Sequence, residues 1–144
     1  MKAISLWQPW ATFVTLKWKT IETRDHAGFF SLVGQRIAIH AAKRFDKTAA
    51  LSLVKYRQLS PMEVINLCTY IKLNRGKILC TAVVRTAGWS TSFKHPREEL
   101  EKQAMCDIEG KYLLFLEGIR PVYPEPVFRG CQGIFNVPDE LVNK

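Results

Sequence analysis

Three apolar runs restrict this chain's fold more than any other feature. They are RIAIHA at residues 36–41, ILCTAVVRTAGW at 78–89 and KYLLFLEGIR at 111–120. Each is rich in β-branched or aromatic residues and is bounded by Gly, Asn or Pro, which predicts strands with buried faces. AISL at 3–6, the alternating segment Thr20–Arg24 and QGIFNV near the end predict three more. The segments between them carry a different period. Pro9 suits the first turn of a helix, where its missing N–H costs nothing, and Trp10–Leu16 continues with apolar groups on one helical face. AAKRFDKTAALSLVKYRQ, which starts at Ala41, places Phe45, Ala49, Leu53 and Tyr56 at helical spacing, so a helix is predicted from Ala42. Ser60, Pro61 and Glu63 form a capping-box signature for a second helix, MEVINLCTYI, which Asn74–Gly76 ends. HPREELEKQAMC predicts a further helix, and the prolines of PVYPEPVFRG predict an extended loop. Strands interleaved with helices, without repeat or linker, predict an α+β fold. The expected architecture is a barrel-like sheet of roughly six short strands with helices inserted between them and covering its ends, residues 1–144 forming a single domain.

A chain of 144 residues buries about 68–70% of its unfolded surface and needs neither disulfide nor metal to fold. No apolar run approaches the ~20 residues that span a bilayer. The start, MKAISLWQPW, has no long apolar h-region or cleavage site and is not expected to be a signal peptide. A cytoplasmic protein without a membrane partner is expected. Cys68, Cys80, Cys106 and Cys131 lie far apart in the chain, and neither they nor the three histidines show zinc-ligand spacing. Buried, reduced thiols are expected, with no structural metal and no cofactor. The net charge of +8 favours an anionic partner, nucleic acid above all.

The candidate chemistry gathers in SLWQPWATFVTLKWKTIETRD, where polar groups stand among three of the four tryptophans. If Thr20–Arg24 is a strand, Glu22 and Arg24 share one face and Ile21 takes the core side. Arg24 offers a planar fork that suits phosphate or a base edge. Glu22 can accept from an exocyclic amine, as carboxylates do with cytosine-type donors. Lys19 can reach a phosphate as a point charge, or act as a base if desolvated. Gln8 offers a donor and an acceptor and can either meet a base edge or cap backbone groups. Trp7 and Trp10 are expected as scaffold anchors, although an aromatic at this place can also stack on a base. Lys43 and Arg44 would open the predicted helix after RIAIHA, where a bound anion would relieve their conflict with the helix dipole. His40 is expected to be a satisfied strand residue. Arg129 would add a cation before the last strand, and Gly130 would permit close backbone approach.

Four blocks, SLWQPWA, KTIETR, IHAAK and GKYLLFLE…PVFRGCQGIFNV, together resemble the ASCH domain of the PUA-like superfamily. The resemblance runs from Lys2 to Val137 and is nearest to the small single-domain ASCH proteins of bacteria and phages. It implies a PUA-like fold, a small, curved β-barrel of about six strands with inserted and flanking helices, one of them after the first strand, and a cleft lined by the residues after that helix. It also implies RNA, or a modified nucleoside or nucleotide, as partner. On that reading Gln8, Lys19, Glu22, Arg24, Lys43 and Arg129 form a nucleotide- or nucleic-acid-binding set. One group of small ASCH proteins deacylates acetylated cytidine with a lysine, a threonine and a glutamate. Lys19 matches that lysine, but Glu22 stands where the threonine would be, and the glutamate falls near Glu101–Gln103. If the chain is an amidohydrolase, Lys19 and Glu22 are its candidate catalytic pair. Ribonuclease activity, proposed for related proteins, and the protein-interaction role of ASCH domains within transcription coactivators are further alternatives.

Overall fold

A computed structural model describes residues 1–143. Its strands are β1 (Lys2–Gln8), β2 (Ile21–Arg24), β3 (Arg36–Phe45), β4 (Lys77–Trp89), β5 (Tyr112–Pro121) and β6 (Ile134–Asn136). Its helices are α1 (Trp10–Thr15), α2 (Ala49–Tyr56), α3 (Pro61–Leu73) and α4 (Arg97–Ala104). The strands form one mixed sheet in the order β2-β5-β4-β3-β1-β6. β1 and β3 run parallel, and the other pairs are antiparallel.

The expected count of six strands is present, but the expected barrel is not closed. The edge strands β2 and β6 do not pair with each other. Both are short, four and three residues long, and closure needs strands long enough to continue the ladder around the whole circuit. Register shifts in β1, β3 and β4 bend the sheet without closing it.

Helix α1 packs against β1, β3, β4 and β5. Its Ala11 and Val14 join Ile4, Leu6, Ile39, Leu79, Val84 and Leu114 in the largest apolar cluster. Full burial contributes roughly 1.5–3 kcal/mol for each larger side chain, so α1 is held mainly by tertiary packing; a six-residue helix is unstable alone. On its other side, Phe13 packs with Ala49, Leu67, Ile71 and Met105, which ties α2 and α3 to the sheet. The capping box of α3 is formed as expected. The Glu63 N–H donates to Ser60 Oγ at 3.2 Å, and the Ser60 N–H donates to Glu63 Oε1 at 3.1 Å.

The helix expected from Ala42 begins later. Strand β3 continues to Phe45, which pairs with Gln8 beyond a register shift that leaves the extra residues in β3, and α2 starts only at Ala49. Pairing with β1 overrides the helical spacing of the apolar residues, because ladder bonds and sheet packing outweigh local propensity. Lys43 and Arg44 therefore lie on the exposed end of a strand, and the helix-dipole argument for an anion there does not hold.

Of the four free cysteines only Cys80 is buried; Cys106 is half-buried and Cys68 and Cys131 are exposed, against the expectation of buried thiols throughout. Burial pushes the Cys80 thiol up to about 12. Among the described residues no helix is long and apolar enough to cross a membrane.

Candidate functional site

Two adjoining cavities open beside the gap between β1 and β2. The first, of about 550 Å³, is walled by Ser5, Trp7, Trp10, Lys19, Glu22 and Arg24, with Asp25, Asp46, Asp107 and Lys111 around them. The second, of about 970 Å³, is walled by residues that include Lys43, Arg129, His40 and Gly130. Ser5, Trp7, Arg24 and His26 belong to both.

The first cavity is built on the strand alternation of β2. Ile21 enters the core beside Leu100 and Leu113, which turns Glu22 and Arg24 to the opposite face. Glu22 is buried between two cations, with Lys19 Nζ and Arg24 Nη2 each 3.8 Å from its carboxylate oxygens. Its Oε1 also accepts from the Thr23 N–H at 2.7 Å. The Lys19 side chain is 1% exposed. Its ammonium donates to the Ala104 carbonyl at 2.6 Å and lies 5.0 Å from the centre of the Trp10 ring. The Arg24 guanidinium stacks over Phe29 and donates to the Ser5 carbonyl oxygen, while its buried Nε has no partner.

Asp46 forms part of the rim. Burial alone would raise its pKa, but hydrogen bonds from Thr48 and from the Trp10 indole N–H outweigh this and hold the carboxyl below its ordinary value. On the opposite rim Lys111 pairs with Asp25. That contact lowers the Asp25 pKa and raises that of Lys111.

The charge of the two cavities differs. Lys19, Arg24 and Lys111 in the first stand against Glu22, Asp25, Asp46 and Asp107. The second has Arg24, Lys43 and Arg129 and, among the described residues, no carboxylate in its wall. The first therefore suits a polar, uncharged group with donors and acceptors, and the second suits an anion.

No family profile matches the chain, and no curated protein matches it. Solved structures do. ASCH from Zymomonas mobilis aligns with a TM-score of 0.55 at 15% identity, over 96% of this chain and 88% of that one. Two point variants of the same protein, a serine-to-alanine and a tyrosine-to-phenylalanine change, align with TM-scores of 0.51 at 15% and 14% identity. They cover 96% of this chain and 89% and 91% of theirs. The chain has the ASCH-domain fold.

Within this ASCH fold the six sequence candidates separate into three places. Lys19, Glu22 and Arg24 meet in the first cavity; Arg24, Lys43 and Arg129 meet in the second. Gln8 lines neither. It is fully buried, and its Oε1 accepts from Thr12 N at 3.1 Å and Thr12 Oγ1 at 2.8 Å, capping the first turn of α1. Its buried Nε2 has no partner.

Trp7, expected as a scaffold anchor, is 44% exposed. Strand alternation in β1 puts it on the face of Ser5, opposite buried Leu6 and Gln8, where the Arg44 guanidinium stacks on it at 3.9 Å. Trp10 has a double role, packing edge-on against Phe13 and lining the first cavity. Glu101 accepts from Arg97, and the Gln103 carbonyl accepts from the Thr20 N–H; neither side chain is in the cavity wall. Asp107, Cys106 and Lys111 occupy that side instead. Sequence reasoning missed these three and Asp46, since nothing local to them signals that their loops fold over β2. Trp10, within the tryptophan-rich motif, was the available signal.

Proposed function

We propose that this chain is an ASCH-family protein that binds RNA, or a modified nucleotide, in the paired cavities beside β1 and β2. The observation that carries this reading is the division of charge between two cavities that share Arg24. A base edge would meet Glu22 and Lys19 in the first, with Trp7 and Trp10 supplying aromatic surface. The adjoining phosphate would meet Arg24, Lys43 and Arg129 in the second. Base–aromatic stacking is worth about 1–3 kcal/mol, and a charge-assisted hydrogen bond from arginine about 1.5–3 kcal/mol. The net charge of +8 adds long-range attraction for a polyanion. Gln8 supports α1 in this reading and does not touch the ligand.

The test is titration of a fluorescent single-stranded RNA across a range of salt concentrations. Affinity should fall steeply as salt rises, because phosphate contacts release condensed counterions. Absent binding, or binding indifferent to salt, would sink the reading.

One observation favours a hydrolytic second reading. Lys19 and Glu22 form a buried pair within the first cavity, as an amidohydrolase acting on an acylated cytidine-type nucleoside would need for charge stabilisation and activation of water. Release of acetate from acetylated cytidine, abolished by Lys19→Ala, would support it. No turnover across a panel of acylated nucleosides would remove it.

A further inference from the structure

Ser5 and His40 contribute to neither reading above, yet together they have the geometry of an activated nucleophile. Ser5 Oγ lies 2.8 Å from His40 Nδ1, and His40 Nε2 lies 2.7 Å from the Phe128 carbonyl oxygen. A carbonyl can only accept, so Nε2 carries the ring proton. In the neutral imidazole Nδ1 then has a free lone pair, and the Ser5 hydroxyl must donate to it. Burial pushes the His40 pKa down, against the raising effect of the Phe128 bond, and favours this neutral form. A nucleophile, a base in hydrogen-bond reach and a third group that orients the base are the parts that nucleophilic catalysis requires.

The surroundings fit an anionic substrate. Ser5 and His40 both line the second cavity, whose wall contains Arg24, Lys43 and Arg129 and, among the described residues, no carboxylate. Gly130 passes so near that a Cβ there would lie 2.5 Å from Ser5 Oγ and from the His40 ring. Any other residue at 130 would occupy the space at the hydroxyl.

We propose that Ser5 and His40 form a nucleophile–base pair that hydrolyses acyl esters carrying a negatively charged group, the anion being held by Arg24, Lys43 and Arg129. Ser5 Oγ bonds to the acyl carbon while His40 Nδ1 takes its proton. The bond from that carbon to the alcohol oxygen breaks, and the alkoxide leaves with the proton from Nδ1. Water, deprotonated by Nδ1, then attacks the acyl carbon; the bond from that carbon to Ser5 Oγ breaks, Oγ takes the proton back from Nδ1, and the carboxylic acid is released.

The experiment compares two 4-nitrophenyl esters, the neutral acetate and the anionic hemisuccinate, and follows the nitrophenolate released by the wild type, Ser5→Ala and His40→Gln. The wild type should show a burst matching its concentration, with the anionic ester preferred by at least ~10-fold, or about 1.4 kcal/mol. Both variants should lose roughly 10³-fold or more in rate. Mass spectrometry of wild type treated with a fluorophosphonate should place the adduct on the peptide containing Ser5. Because His40 is buried and its variant could lose the fold, the adduct and Ser5→Ala decide the matter without it. Ester hydrolysis unchanged in Ser5→Ala, no burst with either ester, or an adduct elsewhere overturns the proposal. The RNA titration is independent of this assay, so either reading can fail alone.

Discussion

Arg24 Nη2 donates to the Ser5 carbonyl oxygen at 3.2 Å, joining β2 to β1 across a gap that no strand ladder spans. The same guanidinium stands 3.8 Å from Glu22, stacks over Phe29 and lines both cavities. It is at once a tie between two parts of the sheet and the cation common to both halves of the proposed site.

Arg24→Lys should therefore separate charge from shape. The substitution keeps the positive charge but removes the planar fork. Affinity for single-stranded RNA should fall by about 10–100-fold, the worth of one or two charge-assisted bonds. Fluorescence anisotropy at fixed salt measures this, and circular dichroism of the variant checks that the fold is retained. Unchanged affinity in the folded variant would remove Arg24 from the site.

The buried Lys19–Glu22 contact should couple energetically. Lys19→Ala leaves a buried carboxylate short of one counter-charge and should cost about 3 kcal/mol. Adding Glu22→Gln to Lys19→Met should recover more than about 1 kcal/mol of the single-variant loss, because the buried carboxylate deprived of Lys19 is then neutral. Urea unfolding of the four members of this cycle gives the coupling. Strict additivity would show that the pair contributes nothing beyond its separate members.

Lys43 and Arg129 are exposed and hold no fold contact comparable to that of Lys19. Lys43→Ala and Arg129→Ala should each change stability by less than about 0.5 kcal/mol. Each should also lower the slope of log affinity against log salt by about 0.7, the value for one phosphate contact on a single strand. A salt slope equal to that of the wild type in either variant would place that residue outside the interface.

Stability should depend on pH through His40. Its folded pKa lies below the ordinary value of 6.5, because burial disfavours the imidazolium and outweighs the raising effect of the bond to the Phe128 carbonyl. With a depressed folded value, the unfolded chain binds more protons between that value and pH 6.5. Stability is complete above pH 6.5 and falls as pH drops from 6.5 towards the folded pKa, by about 1.4 kcal/mol for each unit of depression. His26 and His95 are exposed. Imidazole titration by NMR, beside urea unfolding at pH 8 and pH 5, checks this. A His40 resonance titrating at or above 6.5 would contradict it.

Local pattern alone determined much of this protein. Six strands, the capping box at Ser60 and Glu63, and the shared face of Glu22 and Arg24 follow from periods and spacings within a few residues of one another. They are legible because side-chain direction in a strand, and donor supply at a helix end, are local properties. Only the tertiary structure decided the rest. Pairing of Phe45 with Gln8 turned a predicted helix into strand, and Trp7, on the same face of β1 as Ser5, lies on the cavity wall and not in the core. Gln8 proved to cap α1, a choice between two uses of the same amide that depends on where Thr12 sits. Ser5 and His40 are 35 positions apart, and Lys43 and Arg129 also come together only when β1, β3 and the loop before β6 pack. Whether the sheet closes depends on edge strands at opposite ends of its order. Such contacts arise from burial and pairing over the whole chain, and these are free energies that no short window of sequence contains.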